Sequence, residues 1–379
     1  MGRWVTTLLV FALLAACRRS EHALTMAVAL LPSELAAYRA VLGDFERDTG
    51  LRVVVVPQQY PDIQRALAAE AFAGHGTLDL VELDVYALAR SARHVSVLDP
   101  AELAPELDAL APHARRAGEI DGLRFLPHRI SWQALVYNHA VLGKAPATWE
   151  ELLAVARAHP KRIGLKGALY EGLTCDVLPF VWAAGGSGDR FDDPGTLAAF
   201  RFFAELAPYL APQSETFKEA TVAEAMARGE LVLHVNWPFV MSLYASQGLA
   251  GTIRSAPLPQ GPAGRATVLG GGYIAVPLSA PHRVAAVRLA RYLISAPAQM
   301  RLRRQLGWFS ARTDVAVDET SEDLGGFAAM RGEARPRPER PDYPRLSRAW
   351  QQAFRAVAFE RSDPVSALQA AQRGLGRER

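Results

Sequence analysis

From residue 23 onward the sequence alternates between short apolar runs of strand length and longer segments with a helical repeat, and that alternation restricts the chain to the α/β class. Leu24–Leu31 reads as a strand, and Pro32-Ser33 marks a helix start. Leu35, Tyr38, Leu42 and Phe45 then recur on one helical face, and Gly50 supplies the stop. Leu51–Val56 is continuous and β-branched, as a strand covered on both faces would be. A helix, a strand at Leu78–Leu83, a short helix and a strand at Val95–Leu98 follow. Helices of 10–15 residues between strands predict βαβ units and a parallel sheet.

A second unit begins near residue 138 on this reading. Thr148-Trp149-Glu150-Glu151 is a capping box, with Trp149, Leu152, Leu153 and Ala156 as the apolar face behind it. Helices dominate to about residue 230. Leu231–Val235 then reads as a buried strand, and Gly270-Gly271-Gly272 opens another at Tyr273–Val276. Helical segments at 283–294 and 297–306 precede a passage rich in Pro and Arg, 332–345, and a last helical region. A length of 379 residues is enough for two or three domains at roughly 150 residues each. With 50% hydrophobic and 21% charged residues, disorder over most of the length is excluded. A formal charge of +3 leaves no net field for a polyanion, so no nucleic acid partner is expected.

Residues 1–17 carry one cation, Arg3, then an apolar run from Val5 to Ala16, then Cys17. Twelve residues span under about 20 Å of helix, short of a bilayer core of roughly 30 Å. A signal peptide over residues 1–16 fits this pattern. Leu14-Ala15-Ala16-Cys17 resembles a bacterial lipobox, which implies lipid on Cys17 and a short tether, 17–23, holding the mature chain to a membrane. Cys175, the second of two cysteines, sits in a helix-like apolar stretch and reads as a buried inert thiol.

Enzyme signatures fail on inspection. The chain has no His-Glu-x-x-His, no Cys-x-x-Cys and no Walker A loop, and its nine His residues lack metal-ligand spacing. Gly185-Gly186-Ser187-Gly188 lacks the spacing of a nucleophile elbow. Neither a metal nor a cofactor is expected. Polar and aromatic residues do gather at the ends of the expected strands, where open α/β sheets bind ligands. These are Pro32-Ser33-Glu34, Gln58-Gln59-Tyr60, Glu82 with Asp84, His234 to Pro238, and Gly271-Gly272-Tyr273. Carboxylates accept from neighbouring hydroxyls, Arg donates back to ring and hydroxyl oxygens, and an indole covers the C–H face of a pyranose. The turns themselves hold almost no Lys or Arg, so a sugar fits them better than a phosphate. Asp84 has a second reading, as the cap of the helix it precedes.

Several passages in order along the chain carry a resemblance. They include Phe45-Glu46-Arg47-Asp48-Thr49-Gly50, Leu78-Asp79-Leu80-Val81-Glu82-Leu83-Asp84, Ile120-Asp121-Gly122 and Leu135-Val136-Tyr137-Asn138. Further along come Glu171-Gly172-Leu173, Asn236-Trp237-Pro238-Phe239, Gly270-Gly271-Gly272-Tyr273, Ser310-Ala311-Arg312 and Tyr343-Pro344-Arg345-Leu346-Ser347. The chain resembles the bacterial extracellular solute-binding proteins of family 1, the sugar-binding lipoproteins of ABC transporters that include maltose and trehalose binders.

That resemblance implies the two-lobed periplasmic binding protein fold of type II, each lobe a mixed sheet flanked by helices, joined by a three-segment hinge. It implies crossings near His128–Tyr137, Leu269–Tyr273 and Phe309–Asp314. Lobe 1 is then 24–130 with 274–310, and lobe 2 is 131–273 with 311–379. The implied function is a receptor that captures a disaccharide-like sugar by hinge closure and passes it to ABC permease subunits with a separate ATPase, working as a monomer. By position the contacts are Asp84, Glu171, Trp237, Gly271, Gly272 and Arg312, with Glu34 at the first strand end. Ser131-Trp132 stands where the trehalose binders have Asn, and His234 where they have an acid. Two alternatives stay open: a lipid-anchored glycosidase using Glu82 and Asp84, and a sensing lipoprotein without an import role.

Overall fold

A computed structural model describes residues 23–315, 323–338, 340 and 342–376. The signal segment, Cys17 and the start of the tether lie outside the described residues. The strands are β1 (Ala23–Val28), β2 (Arg52–Pro57), β3 (Leu80–Asp84), β4 (Leu126–Trp132), β5 (Ala134–Asn138), β6 (Ile163–Gly164), β7 (Leu233–Asn236), β8 (Ile253–Ala256), β9 (Thr267–Ala275) and β10 (Ala334–Arg335). No described helix is long and apolar enough to cross a membrane.

The chain divides into two compact units. The first holds the described residues up to His128, with Gly272–Gln305 and Ala311–Val315; the second holds Arg129–Gly271, Leu306–Ser310 and the described residues beyond 322. Two short segments fall opposite to expectation. Leu306–Ser310 joins the second unit because the Phe309 carbonyl accepts from the Ile130 N–H at 3.0 Å and its ring lies 5.0 Å from Trp132. Ala311–Val315 joins the first because Ala111 and Ala311, and Thr313 and Ala109, are hydrogen-bonded at 2.8 Å.

In the first unit β1 pairs in parallel with β2 and β3, while β3 runs antiparallel to β9. The helix Leu35–Thr49 buries Tyr38, Val41, Leu42 and Phe45, as its repeat predicts. It ends at Gly50, whose φ of 71° and N–H bond to the Glu46 carbonyl form a left-handed cap. The strand at Arg52–Pro57 is an edge, not covered on both faces, since only β1 adjoins it and Val54 is 47% exposed. Val95–Leu98 is not a strand but a single bridge, Val95 to Pro277, at the end of a 3-10 turn. Ala27, Ile63, Leu67, Val81, Leu83, Phe125 and Tyr273 make the core.

In the second unit the order β6-β7-β5-β8 has β7 and β8 antiparallel to β5, and β10 runs parallel to the start of β9. The Thr148 hydroxyl accepts from the Glu151 N–H at 3.2 Å, but Glu151 reaches back to Ala147 rather than to the cap itself. The helix Glu171–Ala183 is buried on every side beyond its first residue, which makes it the axis of this unit. Cys175 lies inside it, reduced and buried. Trp149 stacks on Phe202 at 4.3 Å, and Trp149 and Trp182 are both core. The triple glycine lies within β9, where the absence of side chains lets other groups close on the backbone.

Candidate functional site

In the first unit the last residue of β3, Asp84, pairs directly with Gly272 of β9. The Asp84 carboxylate accepts from the Tyr86 N–H at 3.4 Å, so the capping reading holds, with the side chain partly exposed. A Cβ at position 272 would overlap the Glu82 carboxylate, and so this position admits only glycine beside a glutamate. Glu82 is fully buried, with Oε1 at 2.9 Å from His128 Nδ1 and Oε2 accepting from the Ala29 N–H at 3.1 Å. A glycosidase pair of Glu82 and Asp84 therefore finds no support: one of its two carboxylates has no path to a substrate.

Two other expected contacts are held within this unit. Glu34 turns back to accept from the Leu31 N–H at 2.8 Å, bracing the turn that follows β1. Arg312 forms a bidentate pair with Asp314, both bonds 2.8 Å, and donates to the Ile294 carbonyl at 2.9 Å. Its guanidinium holds the Asp314 carboxyl below the usual carboxylate range.

In the second unit Trp237 follows β7 and is half-buried. Asn236 orients it: the Asn Oδ1 accepts from the Trp237 N–H at 2.9 Å, while its Nδ2 donates to the Glu219 carbonyl at 3.0 Å. The indole lies against Gly270, where a Cβ would come within 2.7 Å of its Cζ3 and 3.6 Å of the Ser131 carbonyl. The indole thus covers the buried Gly270, with the Ser131 carbonyl beside it. Trp132, the next residue, points into the interior instead, 2% exposed, its N–H donated to the Phe327 carbonyl at 2.6 Å. It supports the strand under Ser131 rather than offering an open face.

Glu171 opens the central helix and is ringed by donors: Arg337 at 3.0 Å, the Ser347 hydroxyl at 2.7 Å and the Tyr343 hydroxyl. Burial, and then the Glu171 charge, push the Tyr343 hydroxyl well up from its ordinary value. Arg337, Tyr343 and Ser347 are more than 160 positions away along the chain, and no spacing rule connects them to Glu171. Tyr170 and Glu219 meet over Gly172, whose side a Cβ would block. Sequence reasoning missed both. The quoted Glu171-Gly172 pair was the available signal, because a glycine in the first turn of a buried helix marks close approach.

His234 does not take the place of an acidic contact. It is fully buried, with Nε2 at 2.8 Å from the Tyr244 hydroxyl. Burial first, and the nearby Lys166 charge second, hold its pKa down at about 3. The folded chain therefore keeps this imidazole neutral while the unfolded chain protonates it below 6.5, so stability present above that value is lost as pH falls towards 3. Each pH unit in that window costs about 1.4 kcal/mol. In His234→Gln the acid limb of a stability-against-pH curve should be shallower by that slope; an unchanged limb in denaturant titrations at pH 4 to 8 would refute the assignment.

Under β7 lies a buried ion pair, Lys166 to Asp176 at 2.6 Å. Lys166 Nζ also donates to the Val235 carbonyl at 3.2 Å, and Asp176 accepts from Gln133 Nε2 at 2.9 Å and from the Lys166 N–H at 3.1 Å. Desolvation raises the Asp176 carboxyl, and Lys166 opposes the rise. These bonds fix the strand end that carries Asn236 and Trp237.

Residues 40–329 match the family model described as bacterial extracellular solute-binding protein. The chain belongs to that family. Among relatives of this solute-binding protein, a probable ABC transporter-binding protein of Deinococcus radiodurans is 28% identical over 66% of this chain and 66% of its own length. A maltotriose-binding protein of Pyrococcus abyssi is 26% identical over 55% of this chain and 47% of its own. The chain thus aligns with just under two thirds, and about half, of these relatives' lengths. Among solved structures, the maltose-bound MalE3 protein of T. maritima superimposes with a TM-score of 0.85 at 25% identity, covering 93% of this chain and 99% of that one. The fold is the two-lobed α/β fold of the periplasmic binding proteins.

Proposed function

We propose that this solute-binding protein is an extracytoplasmic receptor for a neutral sugar of disaccharide size or slightly larger. The observation that carries the reading is the half-buried Trp237 indole seated on the bare backbone of Gly270, in a chain whose relatives include a maltotriose binder and a maltose-bound structure. The part of the indole left uncovered is a flat apolar wall, the complement of a pyranose C–H face. The polar contacts we assign are Asp84 and Gly272 in the first unit and Ser131, Glu171 and Gly271 in the second. Glu34 and Arg312 reach a sugar by exchanging a present partner for a hydroxyl. A buried hydroxyl that finds no partner costs about 1–3 kcal/mol, which is how such a site tells one sugar from another.

Ligand capture proceeds by closure, which a ligand favours only through its differential affinity for the closed state. The loaded receptor then hands the sugar to permease subunits driven by a separate ATPase, and lipid on Cys17 keeps it at the membrane. The lipid is tested by the intact mass of membrane-extracted protein, which must place acyl chains on a chain beginning at Cys17. The receptor reading is tested by thermal shift and calorimetry against glucose, maltose, trehalose and maltotriose. A sugar at 100 times its dissociation constant adds about 2.7 kcal/mol of stability. At least one of maltose, trehalose and maltotriose is expected to shift the melting point more than glucose does and to be recovered unaltered. No such shift with any of the three, or conversion of the sugar, rejects the proposal.

A further inference from the structure

We infer that Glu82 is a positioning residue for ligand capture, its buried carboxylate tying together the backbone segments that surround the Asp84–Gly272 edge; this rests on the sugar-receptor reading above. Glu82 and Asp84 are two residues apart on β3 and so share a face of the strand. Asp84 is partly exposed at the end, whereas Glu82 lies fully buried beneath it. One carboxylate there touches three places. It accepts from the Ala29 N–H at 3.1 Å, just where β1 runs into the turn that carries Glu34. It meets His128 Nδ1 at 2.9 Å, and His128 is the residue at which the chain leaves the first unit. It also fills the space where a side chain at 272 would stand, and Gly272 is the residue at which the chain returns.

His128 is itself held from two sides. Its Nε2 is 3.3 Å from the Tyr38 hydroxyl, and its carbonyl accepts from Gln299 Nε2 at 2.9 Å. Glu82 and His128 are both fully buried in the core of the first unit. A carboxylate taken from water into such a core is costly unless it is paired and hydrogen-bonded, and an apolar side chain of similar size often serves stability as well or better. What hydrocarbon cannot supply is direction. The two oxygens of Glu82 set where Ala29, His128 and Gly272 stand relative to β3, and therefore where the Asp84 carboxylate and the Gly272 backbone present themselves to a ligand.

The test pairs Glu82→Gln and His128→Asn with Val81→Ala, a core control on the same strand, all in the full chain. Hydrogen exchange without ligand is read first. Both site variants are expected to speed exchange at the amides of 29–31, 84–86 and 272–273 at least tenfold relative to the rest of the first unit, whereas Val81→Ala lowers protection evenly. Maltose and maltotriose calorimetry is read second, and Glu82→Gln should weaken whichever sugar the wild type binds at least tenfold, with affinity kept in Val81→Ala. Exchange in Glu82→Gln and His128→Asn that matches the even pattern of the control overturns the inference. So does unchanged sugar affinity in both site variants. If the wild type binds neither sugar, the receptor reading fails for these ligands, and the exchange pattern still decides the role of Glu82.

Discussion

Asp176→Asn is expected to lower unfolding stability by about 3–5 kcal/mol, because it leaves the Lys166 ammonium buried without its counter-charge. The two charges sit 2.6 Å apart with the lysine fully buried, and the amide that replaces the carboxylate cannot accept equally from Lys166 Nζ, the Lys166 N–H and Gln133. Denaturant titration at pH 7 measures the loss. The double variant Lys166→Met with Asp176→Leu removes both charges and is expected to recover most of it, since apolar side chains of similar volume replace buried pairs at little net cost. A loss below about 1 kcal/mol in the single variant would mean that water reaches the pair, contrary to the burial found here. The affinity consequence follows from the Lys166 bond to the Val235 carbonyl, which loosens with the pair and with it the strand end before Trp237.

Trp237→Ala is expected to weaken sugar binding at least tenfold, about 1.4 kcal/mol or more, with an unchanged fold by circular dichroism. The indole keeps part of its area open beside Gly270, so its removal is expected to fall on binding. Gly270→Ala should have a comparable effect for the opposite reason: the added methyl, within 2.7 Å of Cζ3, pushes the ring off its seat. In the Trp237→Ala background that methyl has nothing to displace, and the two losses should not add. Calorimetry on the three proteins checks this. Additive losses would show that Gly270 acts on the ligand by another route, and unchanged affinity in Trp237→Ala would remove the indole from the site.

Part of the site was legible in sequence because it lies on local structure. Asp84 ends a strand whose apolar run can be counted, and Trp237 follows another, so strand-end logic finds both. Gly270 to Gly272 is visible as a triplet, although its place inside β9 rather than ahead of a strand was not. The donors around Glu171 were not legible as donors. Arg337, Tyr343 and Ser347 fold back across more than 160 residues, and only packing decides which side of each helix or loop meets that carboxylate. Trp132 shows the same limit in reverse. Its neighbour Ser131 has its backbone carbonyl beside Gly270, and one step along a strand reverses the direction of the side chain.

The sequence by itself determined the alternation of elements, the buried faces of the helices and the family, since apolar periodicity, caps and glycine stops act over a few residues. Tertiary structure alone decided which polar side chains are spent inside. Glu82, His128, Lys166, Asp176 and His234 read as ordinary polar residues in the chain, yet all five are buried, because a charge or an imidazole enters a core only where a partner distant in sequence meets it at hydrogen-bond range.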